Sequence, residues 1–429
     1  MDGSIGWNRV AQAAVVGVNR RAGAPEFRPK LDYPRSMTCS TGPSTPASGD
    51  GRGAVSLGLP TIPAPGTSAP ESAVGAIPPP APGDDPRLVD RFGRVATDLR
   101  ISLIDKCNLR CTYCMPADGL AWLPADRLLT GAEIRRLVRI AVDTHGVREL
   151  RLTGGEPLVR KDLVEIIAGV RSDHPDLPIS MTTNGVGLAA KAGALAAAGL
   201  SRINVSLDTI HAESFAKLTR RNFFHKVLEG IEAADAAGLR PIKINAVLLR
   251  GVNDTEAADL LAWSLERGFE LRFIEQMPLD ADHGWTRTNM VTAEDTRELL
   301  RTHYDLAVSP DARDGAPAER YVVRALPGDD GAPGQVLGTV GIIASVTEPF
   351  CADCRRTRIT AEGRIMSCLF SREETDLTAL LRSGATDAQV ADRWRAAMWA
   401  KPRAHGMDHT GLGAKDFVQP DRSMSAIGG

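Results

Sequence analysis

Between Leu99 and Ile274 the chain repeats one pattern six times, a short β-branched run followed by a stretch with helical spacing. The runs cover residues 99–104, 149–153, 179–183, 202–207, 242–248 and 270–274. Strands that alternate with helices in this way pair in parallel, because each crossover must return over one face of the sheet. Six βα units in tandem predict an α/β fold built as an open, incomplete barrel, with its chemistry at the carboxyl ends of the strands. Local signals agree. Thr130 and Glu133 are spaced as a capping box, opening a helix whose apolar face carries Ile134, Leu137, Val138 and Ala141. Gly199 and Gly238 follow Ala-rich helical stretches, where a left-handed cap is expected.

On either side of this unit, which spans 87–290, the texture changes. Residues 1–86 are dense in Pro, Gly, Ser and Ala and offer no periodic apolar pattern from which to build a core. A disordered arm is expected there, with a processed targeting segment or an over-long gene model as alternatives. From 291 to 429 a separate α+β region is expected: a helix near 294–302, strands between 321 and 343, and a final helix at 387–399.

Charge and cysteine usage narrow the function. With 51 Lys+Arg against 53 Asp+Glu there is no global field to draw in nucleic acid or an anionic membrane. Any anionic ligand must be gripped by a few placed cations. Seven cysteines in 429 residues are too sparse for a disulfide scaffold, and all but Cys39 fall into two tight groups, which favours metal ligation in a reducing cytoplasm. No stretch approaches the roughly 20 apolar residues of a membrane span, and Ala11 to Val18 lacks the charged start and cleavage site of a signal peptide.

The first group, Cys107-x3-Cys111-x2-Cys114, lies just past the first strand. Three thiolates can converge on one face of an iron–sulfur cubane and leave the fourth iron open, whereas a structural zinc normally closes with four ligands and no His lies in this loop. The second strand runs into Gly154-Gly155-Glu156-Pro157, where glycines let backbone approach a ligand and the carboxylate could receive an ammonium group. The second group, Cys351-x2-Cys354-x13-Cys368, again supplies three thiolates, with Arg355, Arg356 and Arg358 around its middle cysteine. Here spacing leaves two readings open, a second cluster with an open iron or a zinc site closed by His405 or His409.

Taken in order, several motifs resemble one family. They are Asp98-Leu99-Arg100, the C-N-L-R-C-T-Y-C-M-P run ending at Pro116, Arg151-Leu152-Thr153-Gly154-Gly155-Glu156-Pro157, Thr182-Thr183-Asn184-Gly185, Asn204-Val205-Ser206-Leu207-Asp208, Lys243-Ile244-Asn245, Arg272-Phe273-Ile274-Glu275 and a terminal Gly428-Gly429. From Val89 to Gly429 the chain resembles the GTP 3',8-cyclases (MoaA), of the radical S-adenosylmethionine (SAM) superfamily. The resemblance implies two [4Fe-4S] clusters and SAM as cofactors, GTP as substrate, and the first step of molybdenum cofactor biosynthesis. In that family SAM chelates the open iron of the first cluster through its amino and carboxylate groups. The 5'-deoxyadenosyl radical released from it takes hydrogen from ribose C3' of GTP, and the carbon radical closes onto C8 of guanine.

Carried onto matching positions, the resemblance gives Cys107, Cys111 and Cys114 to the first cluster and Cys351, Cys354 and Cys368 to the second. Tyr113, Gly155, Ser206 and Met277 become SAM contacts. Arg100, Arg151, Thr182 and Lys243 become GTP contacts, together with Arg356, Thr357 and Arg358, and Arg356 or Arg358 becomes the cation that helps reduce the cyclised radical. Singly, each Arg reads as a solvated surface charge and Ser206, Asp208 and Met277 as core or turn positions; a shared place at strand ends is what groups them. The implied partners are a second copy in a homodimer, a downstream cyclic pyranopterin monophosphate synthase and an electron donor that the sequence does not identify. Gly428-Gly429 lacks side chains and so could thread a crowded pocket. Arg355 departs from the Asp or Asn more usual in the family and adds positive charge beside the second group. Two other readings stay open: a radical SAM peptide-modifying enzyme with an auxiliary cluster, and a non-catalytic module with structural zinc at both cysteine groups.

Overall fold

A computed structural model of the chain describes residues 85–328, 332–404, 419–420 and 422–427. The arm expected to be disordered, apart from Asp85 and Pro86, lies outside them, as do Cys39, His405, His409 and Gly428-Gly429.

Six strands, β1 (Asp98–Ser102), β2 (Glu149–Thr153), β3 (Ile179–Thr183), β4 (Arg202–Ser206), β5 (Ile242–Val247) and β6 (Glu270–Ile274), pair in parallel in chain order. They match the expected runs to within two residues at either end. The helices between them are α1 (Gly131–Arg139), α2 (Leu163–Asp173), α3 (Ala192–Ala197), α4 (Ala212–Thr219), α5 (Phe224–Ala236) and α6 (Ala257–Glu266). Both halves of the capping box at α1 form, and Ile134, Leu137, Val138 and Ala141 are buried. Gly199 and Gly238 take φ of +101° and +76°, as left-handed caps do.

The region after residue 290 does not form a separate sheet. It contributes α7 (Ala293–Arg301), β7 (Asp305–Val308), β8 (Glu319–Arg324), β9 (Val336–Ile343), β10 (Arg356–Ile359), β11 (Arg364–Met366), β12 (Thr375–Asp376), α8 (Thr378–Arg382) and α9 (Asp387–Trp399). β9 pairs in parallel with β6, and β10 in parallel with β1. One 12-stranded sheet results, in the order β12-β11-β10-β1-β2-β3-β4-β5-β6-β9-β8-β7. The reason is physical. Six strands that do not close leave two edges of unpaired N–H and C=O groups, and the later strands satisfy both.

The two faces of this sheet differ sharply. Leu99, Ile101, Leu150, Leu152, Ile179, Met181, Ile203, Val205, Ile244, Leu271 and Phe273 are buried in the main apolar core. The residues that alternate with them are Asp98, Arg100, Ser102, Arg151, Thr153, Ser180, Thr182, Asn204, Ser206, Lys243, Asn245 and Arg272, so the opposite face is mostly polar, with Val247 and Ile274 as apolar members at the ends of β5 and β6. A sheet curved with that face inward encloses a polar lumen, whereas a packed eight-stranded barrel fills its interior with branched apolar side chains. The period-two alternation is visible in the sequence and is the signal that marks this lumen.

Candidate active site

The cysteine loop that leaves β1 opens into a cavity at the carboxyl ends of β2 to β6. Cys107, Cys111, Cys114, Tyr113, Gly155, Ser206, Asp208, Met277 and Met424 line it, with Thr153, Thr183 and Val247 from the strand ends. The three thiols are free and half-buried. Sulfur donors open on one side fit a cubane with one iron left for a small chelating ligand. Among the described residues, no three Cys, His, Asp or Glu side chains close on a point small enough for a single ion. Tyr113 donates its hydroxyl to Asp208 Oδ2 at 2.7 Å, while Asp208 Oδ1 accepts from the Val247 amide at 2.9 Å. Asp208 therefore fixes the ring of Tyr113 across the cavity, and burial pushes its carboxyl up to about 6.

Gly154 and Gly155 have a packing reason to be glycine. A Cβ on Gly155 would meet the carbonyl oxygens of Lys106 and Asp105 at 2.3 and 2.4 Å, and one on Gly154 would meet that of Ile104 at 2.3 Å. The end of β2 thus lies directly against the segment that launches the cysteine loop, joined by Gly155 N to Ile104 O at 2.7 Å. Glu156 does not face the cavity as an acceptor for an ammonium group. It is 0 % exposed; Oε1 accepts from the Leu158 amide and Thr183 hydroxyl, Oε2 from the Asn184 amide, which ties β2 to β3. Asn184, fixed in this way, turns Nδ2 to Cys107 Sγ at 3.6 Å. Glu275 plays the matching part at β6, accepting from the amides of Ala293, Val346 and Thr347.

Cys351, Cys354 and Cys368 line a second cavity, together with Arg100, Arg151, Arg272, Arg356, Arg358 and Phe350. Asn245, Ile274 and Met277 line both cavities, so the two cysteine groups open onto one lumen. Its charge is strongly one-sided. The Nε atoms of Arg100, Arg151 and Arg272 and Nη2 of Arg356 are buried with no hydrogen-bond partner. Asp98 lies 3.4 Å from Arg100. Burial and neighbouring guanidiniums pull Arg100 and Arg358 down to about 9, and burial pulls Arg151 and Arg272 down to about 10. Donors held in that condition suit a polyanion, which supplies acceptors and removes the mutual repulsion together.

The cysteines of the two groups differ electrostatically. Burial pushes the Cys107 thiol up to about 12, against the Leu109 backbone N–H and the Asn184 side-chain amide that donate to its sulfur. At Cys354 burial acts in the same direction, but Arg356 and Lys401 outweigh it and bring the thiol down to about 6. Arg356 also stacks over Phe350, 4.7 Å from the ring centre. Arg355 takes no part. It is exposed and donates to Asp314 Oδ1 at 2.8 Å, so its extra charge is paired away from the cavity.

Of the residues expected at the site, Tyr113, Gly155, Ser206 and Met277 meet at the first cavity, and Arg100, Arg151, Arg356 and Arg358 at the second. Thr182 lines the first cavity, not the second. Lys243 lines neither and pairs with Glu270 at 2.6 Å. Thr357 has to face away from Arg356 and Arg358 because neighbours on a strand point to opposite sides. It is fully buried and accepts from Trp394 Nε1 at 2.9 Å, which makes its side chain part of the core against α9. Reasoning from sequence gave no role to Arg272, Asn245 or Lys401; alternation along β5 and β6 points to the first two, and nothing local points to Lys401. The described end of the chain also reaches the lumen, where Ser102 Oγ donates to the Ile427 carbonyl at 2.8 Å.

Two family models match this chain, Radical SAM superfamily over residues 101–264 and Molybdenum Cofactor Synthesis C over residues 269–407. Parallel α/β sheet, cysteine loop after β1 and these matches define the class, a radical SAM enzyme. GTP 3',8-cyclase of Paenarthrobacter nicotinovorans is 71% identical over 343 residues, 80% of this chain and 97% of that protein. GTP 3',8-cyclase of Mycolicibacterium smegmatis is 52% identical over 375 residues, covering 87% of this chain and 99% of its own length. The chain belongs to the GTP 3',8-cyclase family. A crystal structure of Streptococcus suis SuiB bound to S-adenosylmethionine is similar at a TM-score of 0.45 and 13% identity, covering 67% of this chain and 66% of that one, too slight a likeness to bear on function.

Proposed function

We propose that this chain converts GTP to (8S)-3',8-cyclo-7,8-dihydroguanosine 5'-triphosphate, a lyase reaction that opens molybdenum cofactor biosynthesis. The observation that carries the reading is the shared lining of the two cavities by Asn245, Ile274 and Met277, with a cysteine triad at each end. When bound on Cys107, Cys111 and Cys114, a reduced [4Fe-4S] cluster supplies the electron that divides SAM. Tyr113, held by Asp208, together with Gly155, Ser206 and Met277, positions SAM at that end. Arg100, Arg151, Arg272 and Arg358 take the triphosphate, joined by Lys243 on its release from Glu270, with Thr182 beside the passage. Arg356, stacked on Phe350 next to Cys354, orients the guanine at the second triad. Arg356 or Arg358 is then the cation beside the cyclised nucleotide as it is reduced. Thr357 supports these arginines from the opposite face.

The same reading includes a homodimer, an electron donor, a downstream cyclic pyranopterin monophosphate synthase and a cytoplasmic setting, the last resting on the grouping of cysteines as metal ligands and not as a disulfide scaffold. No helix among the described residues is long and apolar enough to cross a membrane. Product analysis tests the reading. Anaerobically reconstituted protein given dithionite, SAM and GTP is expected to form 5'-deoxyadenosine and the cyclised nucleotide in step. Formation of 5'-deoxyadenosine that ignores GTP, with no cyclised product, would show the substrate assignment to be wrong.

A further inference from the structure

Past α9 the chain turns back beneath the second cysteine group, and there Lys401 is only 3 % exposed. Its Nζ donates to the carbonyls of Arg356 at 2.9 Å and Cys354 at 3.2 Å, and to Cys354 Sγ at 3.3 Å. Among the described residues no carboxylate pairs with it. A lysine this deeply buried ordinarily has an anionic partner, because an uncompensated ammonium is costly to remove from water. Among the described residues, the anion-forming group that Nζ touches is the sulfur. Lys401 lies outside the lining of both cavities, which separates it from the substrate-facing arginines.

A second element keeps the lysine in place. Arg94, its side chain 8% exposed, donates from Nε to Asp90 Oδ2 at 2.6 Å. From Nη1 it donates to the carbonyls of Cys351 and Arg403, both at 2.7 Å, and from Nη2 to that of Pro402 at 2.5 Å. One buried guanidinium thus fixes the start of the second cysteine loop and the residues directly after Lys401 to a common frame. Among the described residues no comparable cation hydrogen-bonds Cys107, whose sulfur meets the Asn184 amide at 3.6 Å.

We infer that Lys401 is a positioning residue of the second cluster: its ammonium holds Cys354 Sγ at ligating geometry and, by offsetting negative charge on the thiolate-bound cluster, makes that cluster easier to reduce. The inference rests on the reading that Cys351, Cys354 and Cys368 hold a cluster. Net charge and hydrogen bonds to the sulfurs are the levers by which a protein sets such a potential, and reduction adds a negative charge that a nearby cation stabilises.

The test uses the full chain carrying Cys107→Ser, Cys111→Ser and Cys114→Ser, so that the second cluster alone is loaded, with Lys401 kept or changed to Met or Arg. Iron content and the midpoint potential of the reconstituted protein are read. With Lys401 present about four iron atoms per chain are expected; none would overturn the second cluster itself, and this assignment with it. K401M is expected to keep the iron and shift the potential negative, with K401R returning it toward that of Lys401. An intact cluster with an unchanged potential in K401M would overturn the inference. If K401M takes up no iron, the same change is made with all cysteines present. Loading of the first cluster but not the second, restored by K401R, supports the positioning role; loss of both clusters, or no rescue by K401R, assigns Lys401 to packing and overturns it.

Discussion

Arg100 and Arg358 are Cα partners across the parallel register of β1 and β10, although one precedes the first cysteine group and the other stands within the second. Arg151 follows in the same register on β2, so guanidiniums stand side by side over three adjacent strands. Like charges placed so closely destabilise the empty protein and are repaid when an anion arrives.

Arg100→Met should therefore separate stability from binding. The unliganded protein should unfold at the same temperature as wild type or a few degrees above it, since a buried cation lacking a full partner is removed. GTP affinity should fall by roughly 10- to 100-fold, the loss expected for charge-assisted hydrogen bonds to phosphate. Thermal unfolding and a GTP titration check the two halves independently.

Thr357→Val keeps volume but leaves the Trp394 indole N–H without its acceptor in a site that water does not reach. A loss of about 1–3 kcal/mol in unfolding free energy is expected, with GTP affinity unchanged. Weakened GTP binding in a variant of native stability would instead make this side chain a substrate contact.

Gly155→Ala puts a methyl group within 2.3 Å of the Lys106 carbonyl, where only backbone can yield. The cysteine loop must shift. Reconstituted protein should then hold about four iron atoms per chain instead of about eight, with the second triad loaded normally.

Glu156 gives a pH dependence of defined sign. Burial, outweighing the Asn184, Thr183 and Leu158 donors, raises its carboxyl from an ordinary 4.5 to about 7. The folded protein holds this proton more tightly than the unfolded chain does, so the contribution to stability is complete below about pH 4.5 and is lost as pH rises through about 7. The unfolding free energy of wild type minus that of Glu156→Gln should fall across this interval by up to about 3 kcal/mol. A difference that stays level, or grows with pH, contradicts the assignment.

The sequence was most legible where local and global preferences coincide. The β-branched runs of β1 to β6, the capping box at Thr130 and the glycine caps each act within a few residues, and the fold leaves them unchanged. Arg356-Thr357-Arg358-Ile359 alternates Arg with β-branched residues, but over only four positions and with no mark of which strand it joins. It becomes a strand because β1 presents an open edge, a tertiary cause that no local pattern records. The resemblance grouped Thr357 with its neighbours because they adjoin in sequence, yet strand geometry turns it to the far side. Likewise Glu156, which reads as a ligand carboxylate beside two glycines, is spent on backbone amides of the next strand. Lys401 was invisible for a different reason: its relation to Cys354 exists only after α9 has folded back.

In the proposed function the two cysteine groups serve one lumen, so that SAM divided at the first acts on a nucleotide held at the second. GTP deuterated at ribose C3', incubated with reconstituted protein, SAM and dithionite, tests this in a single turnover. Deuterium in the 5'-deoxyadenosine formed is the predicted result. Deuterium retained in the nucleotide, with unlabelled 5'-deoxyadenosine accumulating, would contradict it.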